Sequence, residues 1–243
     1  MLAIDTYIDF RFSLNLVGAI YIMPEELVED WDAGYNTFSA WLRDNLGISD
    51  AFLDSLSVDD DWTFVIKLHA MIEAGLNHLL LEHFNEPVLS PFISHLATGD
   101  RRTGKLAVAL VLKLLPSNCC QFIRILSEIR NDVVHDVRNF GFDLLGHAAR
   151  LDINQRRKWH EALTSGMFDT VEIDGRSIPA ASVVDSNPRY CIFCATFAIM
   201  VRVLQHRMRL NQERQVLESL RHIGELAVQH YGFAVPTITK PQE

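Results

Sequence analysis

Residues 59–84, DDDWTFVIKLHAMIEAGLNHLLLEHF, decide the fold. Three aspartates open the stretch, and acids favour the positive end of a helix dipole. Val65, Leu68, Ile72, Leu76 and Leu79 then recur at the 3.6-residue period of an amphipathic helix. The spacing predicts a helix from Trp62 to about Phe84, ended by Pro87 and Pro91. Beside its apolar face, His69, Glu73 and Asn77 fall at i, i+4 and i+8. This polar stripe reads in one of two ways. It is a solvated face, or it turns Glu73 toward a neighbouring helix to pair with Arg130 or orient His135.

Further along the chain, Phe92–Leu96 reads as a short turn or helix. Gly99-Asp100 opens a helix over Arg102–Leu114 that Pro116 stops. Ser117 or Asn118 caps the next one. Its amphipathic run Phe122–Ile129 leads into Arg130-Asn131-Asp132-Val133-Val134-His135 and fades near Gly141. Asp152 opens another helix through about Leu163. Thr170–Ile173 and Arg176–Ile178 flank Asp174-Gly175, a pair suited to a tight hairpin turn. Asn187-Pro188 precedes a long helical region, Tyr190–Tyr231, expected to break near Asn211. Toward the N-terminus, Thr37–Leu46 and Asp50–Leu56 read as two short helices broken at Gly47, after a loop around Asp32–Asn36. Met23-Pro24-Glu25-Glu26 looks like a helix start, and residues 1–22 are ambiguous. The fold class is mainly α: an antiparallel helical bundle with a minor β-hairpin near 170–178. The helices Trp62–Phe84 and Phe122–Asp136 are expected to form one antiparallel pair.

The chain has 243 residues, 49% of them hydrophobic, and a net charge of −9. Residues 1–100 carry 3 basic and 17 acidic side chains, while residues 101–243 carry 19 and 14. The overall acidity argues against a protein that coats nucleic acid, and the basic second half leaves room for a local phosphate-binding surface. Cys119 and Cys120 are adjacent, and Cys191-x-x-Cys194 lies in an apolar run without a second pair at zinc spacing. Core packing and a reducing cytoplasm fit these four residues. The N-terminus lacks a basic region, and the C-terminal apolar run reads as too short for a bilayer, so no membrane is expected. No P-loop, dinucleotide fingerprint or nucleophile elbow is present, and neither a cofactor nor a metal is expected. His78 and His83 are five apart and off a common face, which argues against a metal pair. Arg156-Arg157-Lys158 beside Trp159 reads as a nucleic-acid contact or as a basic, solvated helix end.

Arg130, Asn131 and His135 carry the chemistry. An Arg fork clamps phosphate, and a His titrates near neutral pH, which together are the minimal tools for cutting RNA without a metal. On a regular helix Asn131 and His135 share a face, while Arg130 points about 140° from His135. The groups converge if the helix bends or ends there, if the long Arg side chain reaches round, or if a two-fold dimer sets the motifs opposite each other.

Residues 72–80, IEAGLNHLL, then 104–115, then Ile129 to His135 resemble the HEPN superfamily, most closely the branch typified by the mannitol operon repressor. The likeness covers about residues 60–145. It implies a helical core at 59–150; residues 1–58 and 151–243 match no named family and read as an N-terminal helical extension and a C-terminal helical region packing on that core. It also implies a homodimer with the motifs at the interface. Many members of the superfamily are metal-independent ribonucleases of toxin or defence systems. The resemblance therefore implies an RNA-binding protein and a candidate metal-independent endoribonuclease. Arg130, Asn131 and His135 would be catalytic, with Glu73 orienting them from behind. The partners it implies are RNA, a second copy, and an antitoxin or regulatory protein. The mannitol-repressor branch implies an alternative, a non-catalytic transcriptional-regulatory or protein-interaction module.

Overall fold

The structure is a computed structural model that describes residues 31–100, 102–135, 141–164, 170–173 and 176–231. The helix start at Met23 and the readings of residues 1–22 lie outside these residues, as does the fading of the motif helix toward Gly141.

The chain is mainly α-helical. In order, the described elements are α1 (Trp31–Leu46), α2 (Asp50–Val58), α3 (Asp61–Phe84), a 3-10 turn (Pro87–Leu89), α4 (Ser90–His95), α5 (Lys105–Val111) and α6 (Ser117–His135). They continue with α7 (Leu144–Arg150), α8 (Ile153–Leu163), β1 (Thr170–Ile173), β2 (Arg176–Pro179), α9 (Ala180–Ser186) and α10 (Pro188–Tyr231). β1 and β2 pair antiparallel, with Thr170 opposite Pro179 and Ile173 opposite Arg176, so the hairpin forms in the expected place.

α3 is the spine. Asp60 caps it by accepting from the Thr63 N–H at 2.8 Å, and Asn85 ends it in the left-handed conformation at φ 53°. Val65, Leu68, Ile72, Leu76 and Leu79 are all buried, as their period requires. α6 lies antiparallel to it. The Trp62 indole N–H donates to the Val133 carbonyl at 2.8 Å near one end, and His69 meets Ser127 further along.

α10 packs against α3 in the same direction. Arg189 holds the start of α3 by bonding Asp61 at 2.7 Å and the carbonyls of Leu56 and Asp59, with its guanidinium over the Phe64 ring. Gly75 lets the helices approach at the middle, because a Cβ there would stand 2.8 Å from Met200. Arg214 reaches Glu82 near the far end of α3. α1 covers this pair, with Phe38 against Phe197 and Asn45 bonded to Arg207. One hydrophobic core runs from Phe38 to Leu204 and draws on all three parts of the chain.

Several boundaries differ from those expected. The loop at Asp32–Asn36 is helix, because α1 begins at Trp31. The helix expected over Arg102–Leu114 is shorter. Asp100 caps a turn by accepting from the Arg102 and Thr103 N–H groups, and Lys113 at φ 55° closes α5 early. α10 runs unbroken through Asn211. A single Asn costs a helix only about 0.7 kcal/mol, too little to interrupt it. α3 and the Pro188–Ile223 part of α10 are long and apolar enough to cross a membrane by length and composition. Both are core helices, with 50% and 78% of their apolar windows buried.

Candidate functional site

α3 and α6 build a cleft between them, and the loop from α4 to α5 closes one side. α3 contributes His69 and Glu73, one turn apart. α6 contributes Arg124, Ser127, Glu128, Arg130 and Asn131. Arg124, Ser127, Glu128 and Asn131 are spaced i, i+3, i+4 and i+7, so they share one helical face. The cleft is open to solvent and has a volume of about 460 Å³.

His69 is 8% exposed, and its Nε2 lies 3.0 Å from Ser127 Oγ. The Ser127 hydroxyl donates to the Ile123 carbonyl at 2.8 Å. Its one proton is thereby used, so both bonds form only if His69 Nε2–H donates to Oγ. Nδ1 then carries the lone pair. Burial holds the imidazole below its ordinary pKa, the Glu73 carboxylate opposes this, and Arg130 and Lys105 add to it. His69 is therefore neutral at pH 7, as a proton acceptor must be.

Glu73 does not pair with Arg130. It accepts from Lys105 Nζ and from Thr98 Oγ1, both at 2.9 Å. Lys105 is fully buried, and its Nζ also reaches the Ser94 carbonyl at 3.4 Å. Burial works against a charge on Glu73, yet the bonds from Lys105 and Thr98 outweigh it and hold the carboxyl below its usual range. These contacts tie the closing loop to α3. Gly104 at the end of that loop has no room for a side chain, since a Cβ would meet the Asp100 carbonyl oxygen at 2.5 Å.

Two guanidinium groups line the cleft. Arg130 Nη1 donates to Asn131 Oδ1 at 3.1 Å. Arg124 has a buried Nε without a hydrogen-bond partner, an unmet donor at the edge of the site. Glu73, Asp100 and Glu128 also line it, so positive and negative groups share the cleft. The Asp100 carboxylate is engaged by Arg102 and Thr103, and that of Glu73 by Lys105.

Of the residues expected from sequence, Arg130, Asn131 and Glu73 come together here. His135 does not join them. It is exposed on the last residue of α6, one turn beyond Asn131, and lies outside the cleft lining. His69, Arg124, Ser127 and Lys105 were not singled out as site residues. The solvated reading of the polar stripe fails at His69, which is buried against α6. The detectable signal was the i, i+3, i+4, i+7 polar pattern beginning at Arg124.

Elsewhere, Trp159 is buried and 5.5 Å from the His147 ring, so it offers no face to a base beside Arg156-Arg157-Lys158. All four cysteines are free and buried, and burial pushes the Cys119 thiol up to about 11. Among the described residues no group of three or more His, Cys, Asp or Glu side chains is placed to hold a metal.

No family model, curated protein or solved structure matches this chain. The site therefore rests on its own geometry: two arginines and three carboxylates around a cleft that a buried, neutral histidine lines.

Proposed function

We propose that this chain is a HEPN-like RNA-binding protein that seats a phosphodiester in the cleft between α3 and α6, and that it acts as a metal-independent endoribonuclease. The observation that carries this reading is the convergence of Arg124, Arg130 and His69 on one open cleft. Arginine forks match the geometry of phosphate oxygens, and Arg124 and Arg130 both line the cleft.

Nδ1 of His69 would take the proton from a ribose 2′-hydroxyl. The 2′-oxygen attacks phosphorus, and the bond to the 5′-oxygen breaks as that oxygen takes a proton from water. The product is a 2′,3′-cyclic phosphate. Arg124 and Arg130 stabilise the charge gathering on the non-bridging oxygens. Asn131 holds the Arg130 guanidinium from the side. His69 thus takes the role that the sequence assigns to His135. It also supplies from the same chain the group whose poor convergence suggested opposed motifs in a dimer.

RNA binding tests this directly. Anisotropy of a labelled single-stranded RNA is measured between about 50 and 500 mM salt, a decade that exposes counterion release. Each guanidinium that meets a phosphate contributes about 0.7 to the slope of log K against log salt. Arg124→Ala and Arg130→Ala should each weaken binding and each flatten the slope by about that amount. Binding of unchanged strength and slope in both variants would reject the cleft as the RNA site.

One observation favours the second reading, a non-catalytic regulatory or protein-interaction module. Three carboxylates share the rim with the two arginines, in a chain of net charge −9. Under that reading the salt bridges serve a protein partner, and RNA does not bind at physiological salt.

A further inference from the structure

α10 outruns the body of the protein. Its last contact with α3 is Arg214, which bonds the Glu82 carbonyl. From Gln215 to Tyr231 the helix continues for about 25 Å at 1.5 Å per residue. Residues 215–223, 225 and 226 are all exposed. The side chains there are sorted by face. Val216, Leu220 and Ile223, spaced by four and three, form an apolar stripe, which Leu217 and Leu226 widen on either side. Arg214, Glu218, Arg221 and Glu225 occupy the opposite face by the same spacing, and Arg221 bonds Glu225 along the helix at 3.0 Å. A solvated helix would place its charges all round. Here the five apolar residues stand 50% to 66% exposed.

We infer that this overhang is a dimerisation helix whose occupant is the same helix of a second copy. Two observations favour that partner. Leu217 and Leu226 lie about 90° to either side of the stripe, so a two-fold pairing would cover at most about 1,000 Å² of apolar surface, the lower bound of a specific interface. The stripe carries no charge and its 4–3 spacing is that of a coiled-coil seam, which is complementary to itself.

The test is the mass of the full-length chain by light scattering over 1–100 μM, a range of about two decades around typical dimer affinities. The wild-type chain should be a dimer at the upper end. Leu220→Glu with Ile223→Glu should give a monomer with unchanged circular dichroism, because neither side chain supports the core. A second variant does not depend on that charge. The four native cysteines are all buried, so Leu220→Cys adds one exposed thiol, and mild oxidation should join two chains through it. A wild-type monomer throughout the range overturns the inference. So does a dimer that the double Glu variant leaves intact, or a Leu220→Cys protein that stays uncrosslinked. Light scattering that stays monomeric while the chain binds lipid vesicles would assign the face to a membrane surface and overturn it equally.

Discussion

Glu73→Gln removes a charge from the one place among the described residues where a lysine is buried completely. Lys105 has no exposure, and its Nζ lies 2.9 Å from Glu73 Oε1. Stripping one partner from a fully buried ion pair costs about 3–5 kcal/mol, since the other charge stays behind unpaired. The Glu73 side chain is 41% exposed, so water already screens part of the field. The expected loss is therefore scaled down to about 2–3 kcal/mol. For a chain of this size that lowers Tm by about 5–10 °C. The neutral pair Glu73→Gln with Lys105→Met should recover all but about 1 kcal/mol, because a charge is no longer stranded. Urea denaturation at pH 7 of the wild type, both single variants and the double closes the cycle. Amide exchange should also quicken around Thr98, where the hydroxyl bond to Glu73 weakens. A Glu73→Gln protein as stable as the wild type, or a double variant no better than the single, would refute this account of the loop's anchor.

Burial lowers the pKa of His69, His78, His147 and His206 from 6.5, so the unfolded chain takes up protons first as pH falls. Stability should be level above about pH 7 and decline from near 6.5 downward, with a further decline below the ordinary Glu value of 4.5 as Glu73 protonates. Urea midpoints from pH 4 to 8 would show it, and a flat profile would not fit. Gly104→Ala forces the new methyl onto backbone atoms at 2.5–2.7 Å, so it should cost about 1–3 kcal/mol and weaken RNA binding, whereas Gly99→Ala meets open space and should do neither. Asn211→Ala in the unbroken α10 should gain a few tenths of a kcal/mol, and a loss of helicity there would contradict the continuous helix.

Where one periodicity governed, the sequence was readable. Val65, Leu68, Ile72, Leu76 and Leu79 predicted α3 and its buried face, and Asp152 with Gln155 starts α8 through a capping box. Asp174-Gly175 marked a hairpin whose strands pair as expected. Boundaries set by tertiary contact were less visible. Nothing local shows that Asn211 is carried through by its helix, or that Lys113 turns left-handed to end α5. The site divided the same way. Arg130 and Asn131 were legible as polar residues late in an amphipathic helix, and Glu73 as part of a stripe. His69 was not, because its role depends on Ser127, 58 residues away and facing it only once α3 and α6 pack antiparallel. Lys105 was hidden in an apolar stretch, where a lone cation becomes meaningful only when Glu73 is seen above it.

The most direct measurement compares two histidines. RNA cleavage by the wild type, His69→Asn and His135→Asn is followed in EDTA at pH 7 on a single-stranded substrate. Losing the group that moves the proton costs about 10²–10⁴-fold. The predicted result is a loss of that size in His69→Asn, with His135→Asn within a few-fold of the wild type and a 2′,3′-cyclic phosphate as product. Full activity in His69→Asn, or a collapse confined to His135→Asn, would contradict the account.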